Sequence, residues 1–205
     1  MRFFLFLVFS AAFLGLDAAK LSPVEGIVYL KDGRQVRFEG QDRIVLPAKC
    51  AKVVAYRDIF QRGKQKETFA FDQVDSLVCW HSRAPEHRRK YMPVPSVGWC
   101  WVYFETPYIR TLIYSDKGYV QTSNGGIQTA LGRYYLEKTT ERNAPMCSLG
   151  KVKYYHRGKK FRQRIARYVQ DRDPGLARRI EQSTGFRDAT LFLLKEYRPQ
   201  GNDDE

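Results

Sequence analysis

The residues with chemical reach in this chain are three histidines (His81, His87, His156), four cysteines (Cys50, Cys79, Cys100, Cys147) and two closely spaced carboxylate pairs, Asp72/Asp75 and Asp171/Asp173. His81 or His87 could serve as a general base if a nucleophile or carboxylate stood within hydrogen-bond reach. A metal at Cys79, His81 and His87 is not supported, because a ligand set needs a fourth group in phase or a helical His pair. The Asp pairs sit beside a bend and a helix start, where Asp serves the backbone. No Gly-x-Ser-x-Gly, His-Glu-x-x-His, phosphate-binding loop, dinucleotide fingerprint or EF-hand loop occurs. The sequence therefore names no catalytic residue, no metal and no cofactor. Its alternative to a binding function is a hydrolase outside the cytoplasm, with its site near residues 81–98.

Cations are the better-supported feature. The chain carries a formal net charge of +13, which predicts attraction to polyanions. Two groups stand out. Arg83, His87, Arg88, Arg89 and Lys90 crowd a segment interrupted by Pro85, Pro93 and Pro95, read as a long basic loop because proline disfavours a helix interior or a central strand. Lys160, Arg164 and Arg167 recur at helical spacing opposite Phe161, Ile165, Tyr168 and Val169, which places them on the outer face of an amphipathic helix. From Leu149 to Arg198, fourteen Lys and Arg stand against five Asp and Glu. These eight residues are the expected anion-binding set. The partner is expected to be an anionic glycan, a lipid headgroup such as lipopolysaccharide, or an envelope protein, with nucleic acid disfavoured outside the cytosol.

Residues 1–19 read as a secretory signal peptide: Arg2, the apolar run Phe3 to Leu16, then small residues at Asp17-Ala18-Ala19. That run is too short for the roughly 20 residues of a membrane-spanning helix. The expected location is periplasmic or extracellular. In an oxidising compartment an even number of cysteines reads as disulfides. Taking the strand ending at Trp80 and the strand starting at Trp99 as neighbours pairs Cys79 with Cys100, leaving Cys50 with Cys147.

The elements that must position these groups are mostly strands. Trp99 to Phe104 is an uncharged apolar run, and Tyr108 to Tyr114 resumes it after Glu105-Thr106-Pro107, so the two predict a central strand pair. Asp32-Gly33 predicts a two-residue type I′ hairpin between Gly26 and Gly40. Further strands are expected at 43–46, 52–56, 133–138 and 151–155. Asp173-Pro174 predicts the start of a second helix, and a third covers about 188–196. The fold class is α+β: a mainly antiparallel β body (sandwich or open barrel) over residues 20–156, two to three basic helices over 157–198 packed on it, and a disordered acidic tail at 199–205.

The leader, the Gly26–Gly40 hairpin with its Lys-Asp-Gly turn, the segment Phe69-Ala-Phe-Asp-Gln-Val-Asp-Ser-Leu77 and the closing helices from Lys160-Phe-Arg to Tyr197 resemble a broad set of uncharacterised secreted proteins of Bacteroidota. The chain departs from that set in its arginine content and its four cysteines. The resemblance implies an envelope or secreted location and carries over no catalytic residue.

Overall fold

A computed structural model describes residues 24–61, 65–129, 132–141, 145–151 and 158–199. The expected leader and the acidic tail from residue 200 lie outside them. Among the described residues, thirteen strands precede three helices: β1 (Val24–Leu30), β2 (Gln35–Phe38), β3 (Arg43–Val45), β4 (Val53–Tyr56), β5 (Lys66–Phe69), β6 (Val74–His81), β7 (Ala84–Val94), β8 (Gly98–Glu105), β9 (Ile109–Tyr114), β10 (Tyr119–Gln121), β11 (Ile127–Thr129), β12 (Arg133–Lys138) and β13 (Cys147–Lys151), then α1 (Lys159–Val169), α2 (Pro174–Gln182) and α3 (Arg187–Phe192). The protein is α+β, with an antiparallel sheet that does not close into a barrel. Its order is β13-β12-β9-β8-β7-β6-β1-β3-β4-β5, with β2 also paired to β1.

The two largest of three apolar clusters divide the core between the halves of this sheet. Val24, Val28, Phe38, Ile44, Val53, Leu77, Tyr91 and Trp99 fill the N-terminal half. In the C-terminal half, Ile109, Ile113, Tyr134 and Leu136 of the sheet meet Phe161, Ile165, Val169, Leu176, Ile180 and Leu194 of the helical segment. The central pair is where the sequence puts it, as β8 and β9. The Asp173 side chain caps α2 by accepting from the Leu176 N–H at 2.9 Å, with Pro174 at the start of the helix.

Three expectations change. The hairpin at Asp32-Gly33 is a type I turn with a glycine bulge, because Gly33 alone has positive φ (88°) and its N–H returns to the Leu30 carbonyl. The last described strand is Cys147–Lys151, and the expected strand at 151–155 lies, beyond Lys151, outside the described residues. Residues 84–94 are a strand instead of a loop. The prolines are accommodated where they remove little: Pro95 is in the β7–β8 turn, and Pro93 lies beyond Tyr91, the last β7 residue paired with β6. Pro85 falls in a bulge, where Trp80 alone on β6 faces Pro85, Glu86, His87 and Arg88 between the Cys79–Arg89 and His81–Ala84 rungs.

That strand also overturns the disulfide pairing. With β7 between β6 and β8, Cys79 and Cys100 are two strand spacings apart, about 9.5 Å laterally, and also offset along β7, Cys79 facing Arg89 and Cys100 facing Met92; cysteines whose Cα atoms are more than about 7 Å apart are not bridged without backbone movement. All four cysteines, including Cys50 and Cys147, are free thiols. Burial pushes the Cys79 thiol far up and Cys100 up to about 12, so both behave as small apolar core residues.

Candidate anion-binding surface

The bulge decides what the β6–β7 hairpin presents. Four residues opposite one cannot all keep the ladder's alternation, so Pro85 to Arg88 are all exposed, and Arg83 in the turn is exposed with them. Trp80 lies beneath, almost fully buried, its indole N–H donating to Glu25 Oε2 at 3.0 Å. The Arg88 guanidinium sits 4.6 Å above the Trp80 ring. Stacking of this kind contributes about 0.5–1 kcal/mol at an exposed site and orders the guanidinium while its N–H fork stays available.

The β10–β11 turn supports the other side of the hairpin. Arg89 donates to the Gly125 carbonyl at 3.0 Å. The His87 ring rests against Gly125 so closely that a Cβ there would stand 2.2 Å from it, and Gly125 also has φ of 76°. Only glycine fits both constraints. Lys90 differs from its neighbours, being neutralised by Glu105 of β8 at 3.0 Å. Among the described residues, no carboxylate pairs with Arg83, Arg88 or Arg89.

Lys160, Arg164 and Arg167 lie exposed along α1, while Phe161, Ile165, Ala166 and Val169 hold the opposite face to the sheet. At 1.5 Å per residue the three cations span roughly 10 Å, again with no carboxylate partner among the described residues. Among the described residues, no hydrogen bond or ion pair joins this stripe to the hairpin, so the eight expected residues form two surfaces. Arg167 also borders a cleft of about 290 Å³ with Lys138, Glu141, Pro145, Tyr168 and Asp171. There Asp171 receives the buried Lys138 ammonium at 2.9 Å on each oxygen, a tether between β12 and the end of α1. Burial alone would raise the Asp171 carboxyl, but the hydrogen bonds and charge of Lys138 hold it below its usual value.

His81 and His87 lend the hydrolase reading no support. His81 Nδ1 accepts the Arg83 N–H at 3.1 Å. His87, resting on Gly125, has its exposed neighbour Glu86 3.2 Å from Nε2. No hydrogen bond among the described residues joins either ring to a Ser, Thr or Cys. Cys79 is sealed in the core while His87 lies outside it, and no group of three His, Cys, Asp or Glu among the described residues is placed to hold a metal. Sequence reasoning missed Trp80, Glu25 and Arg43 as parts of the hairpin head, since they come together only through the order β6-β1-β3. Among the described residues, no helix is long and apolar enough to cross a membrane.

No protein family, curated protein or solved structure matches this chain.

Proposed function

We propose that this protein is exported and acts without catalysis, its hairpin head and α1 stripe binding an anionic partner: a glycan, a lipopolysaccharide headgroup or an acidic envelope protein. The observation that carries the reading is the sorting of cations. Arg57, Lys90, Arg110 and Lys138 are each neutralised by carboxylates. Arg83, Arg88 and Arg89, within seven residues of one another, are left uncompensated beside an aromatic ring. The leader-like residues 1–19 and the resemblance to secreted Bacteroidota proteins support an envelope or extracellular location.

The test is binding of the chain to heparin, lipopolysaccharide and anionic vesicles across a salt series, beside a chain with Arg83, Arg88 and Arg89 changed to Gln and another with Lys160, Arg164 and Arg167 changed to Gln. Binding should weaken as salt rises, because exposed charges are screened beyond about 8 Å at physiological ionic strength. Each triple variant should lose affinity without losing stability. Salt-insensitive binding, or no binding to any of the three, overturns the proposal.

A further inference from the structure

The rungs between β8 and β9 slip by one residue at Tyr103: Val102 faces Leu112, and the next rung is Phe104 with Thr111. The slip is a β-bulge, which re-aims side chains. Here it turns Tyr103 and Phe104 both towards the helices, where strict alternation would send one of them away. Phe192, the last residue of α3, closes on the pair, its ring stacked on Tyr103 at 6.1 Å and tilted against Phe104 at 6.3 Å. Trp101 backs Tyr103 edge-on at 5.4 Å. Despite these contacts Phe192 is 45% exposed, so a fixed aromatic stack ends in solvent.

Cations border this stack, and the nearby carboxylates are engaged elsewhere. Lys195, in the 3₁₀ turn Leu193–Glu196 that follows α3, holds its ammonium 4.5 Å from the Phe192 ring and 5.9 Å from the Phe104 ring. The Arg198 guanidinium lies 5.6 Å from the ring of Tyr108, in the turn between β8 and β9. Among the described residues, no carboxylate pairs with either cation. Glu105 follows Phe104 but pairs in register with Arg110 on the other face of the sheet, where it binds Lys90 and Arg110. Glu196 is held by Arg179. The patch is therefore aromatic, and its two charges are uncompensated.

We propose that this patch docks on an anionic lipid surface, with Phe192 entering the boundary between headgroups and acyl chains and Lys195 and Arg198 meeting lipid phosphates. Charge complementarity selects the partner. Long cationic side chains lying along apolar rings carry their heads to the rim of whatever the rings enter, as snorkelling residues do at membrane interfaces. A lipid interface supplies an apolar layer with phosphates directly above it, matching rings bordered by cations. An acidic protein supplies the charge without that layering. The patch uses none of the cations of the hairpin head or the α1 stripe, so it goes beyond the function proposed above.

The experiment sediments the full chain with vesicles of phosphatidylcholine, with and without phosphatidylglycerol. Binding should require phosphatidylglycerol. Phe192→Ala should weaken it about tenfold, the loss of a half-exposed ring from an apolar layer, and Lys195→Gln and Arg198→Gln about fivefold each. Phe60→Ala, at a ring 84% exposed beyond β4, should change nothing, and Phe192→Ala should leave heparin binding unchanged. Phe192→Trp keeps the stack and adds a reporter. Brominated phosphatidylcholine in the anionic vesicles should quench its fluorescence more than that of the parent, whose Trp80 and Trp99 are buried. No vesicle binding, no added quenching, or an equal loss in Phe60→Ala overturns the patch. Vesicle binding that falls only when the hairpin or α1 cations are changed refutes this surface and leaves the function proposed above standing. If the chain ignores vesicles but forms a dimer that Phe192→Ala dissolves, the patch docks protein and the lipid assignment fails. If vesicles bind through Phe192 while heparin does not bind at all, the patch stands and the reading of the hairpin and stripe falls.

Discussion

Reversing one charge on α1 should make the protein more stable and a poorer binder at the same time. The helix begins badly for its own stability: the N-cap is Gly158 with no side-chain hydrogen bond, the first turn has no acidic residue, and Lys159 and Lys160 stand at the positive end of the helix dipole. Lys160 also faces Arg164 one turn on. A charge at a helix end is worth about 0.3–1 kcal/mol and an i,i+4 pair about 0.2–0.5 kcal/mol, with Glu before the cation being the favourable order. Lys160→Glu turns both interactions from repulsive to attractive, and exposure and salt reduce the sum, leaving a gain of about 1 kcal/mol. For a chain of this size that is roughly 2–4 °C in Tm. Lys160→Ala should recover about half of it. Urea unfolding followed by circular dichroism, at low and high salt, measures the gain, which should shrink as salt rises. Heparin binding by the same variant should weaken. If Lys160→Glu fails to stabilise the protein at low salt, the dipole reasoning is wrong; if it binds heparin like the parent, the stripe is only a solvated face.

Three further outcomes follow from the packing and the titrating groups. Ile165 is fully buried between α1 and the sheet, so Ile165→Ala should cost about 2–5 kcal/mol, and a loss below about 0.5 kcal/mol, the size of a surface change, would show that α1 is not docked there. A thiol reagent should modify exposed Cys50 quickly in the native protein and reach buried Cys79 and Cys100 only on unfolding, with four thiols counted in denaturant; a count of two or none would restore a disulfide. His81 has a lowered folded-state pKa, so its stabilising contribution is complete above the ordinary histidine value of about 6.5 and is lost as pH falls from there towards the depressed value. Unfolding measured across that window should show the loss, and His81→Gln should remove it.

Elements whose signals are local were legible in the sequence. The β8–β9 pair announces itself by an uncharged aromatic run, a break and a second apolar run. In α1 the spacing of Phe161, Ile165 and Val169 fixes the buried face and, by exclusion, the basic stripe. Asp173-Pro174 is a cap and a first-turn proline side by side. β7 was illegible for an equally physical reason. Its cations and prolines argue against a strand one residue at a time, while its pairing depends on β6 and β8 offering ladder partners at Arg89–Tyr91 and Tyr91–Val94, with the bulge absorbing Pro85. Missing that one strand placed β6 beside β8 and made Cys79 and Cys100 look like partners.

The hairpin surface was half legible, and the missing half is the one that matters for binding. Sequence counts charges, but a partner meets only what the fold leaves uncompensated. Five cations and potential cations occur between Arg83 and Lys90, and three of them have fates set by residues outside that segment. Glu105 cancels Lys90, the Gly125 carbonyl holds Arg89, and Trp80 orients Arg88. Arg43, which no reading of residues 81–98 would include, reaches the hairpin head because β3 follows β1 in the sheet. On α1 the count and the residue survive together, since helix neighbours are fixed at i+3 and i+4 by the backbone itself. Cross-strand neighbours are fixed by sheet order. A basic run in a strand therefore has no settled electrostatic meaning until the strands on either side of it are known.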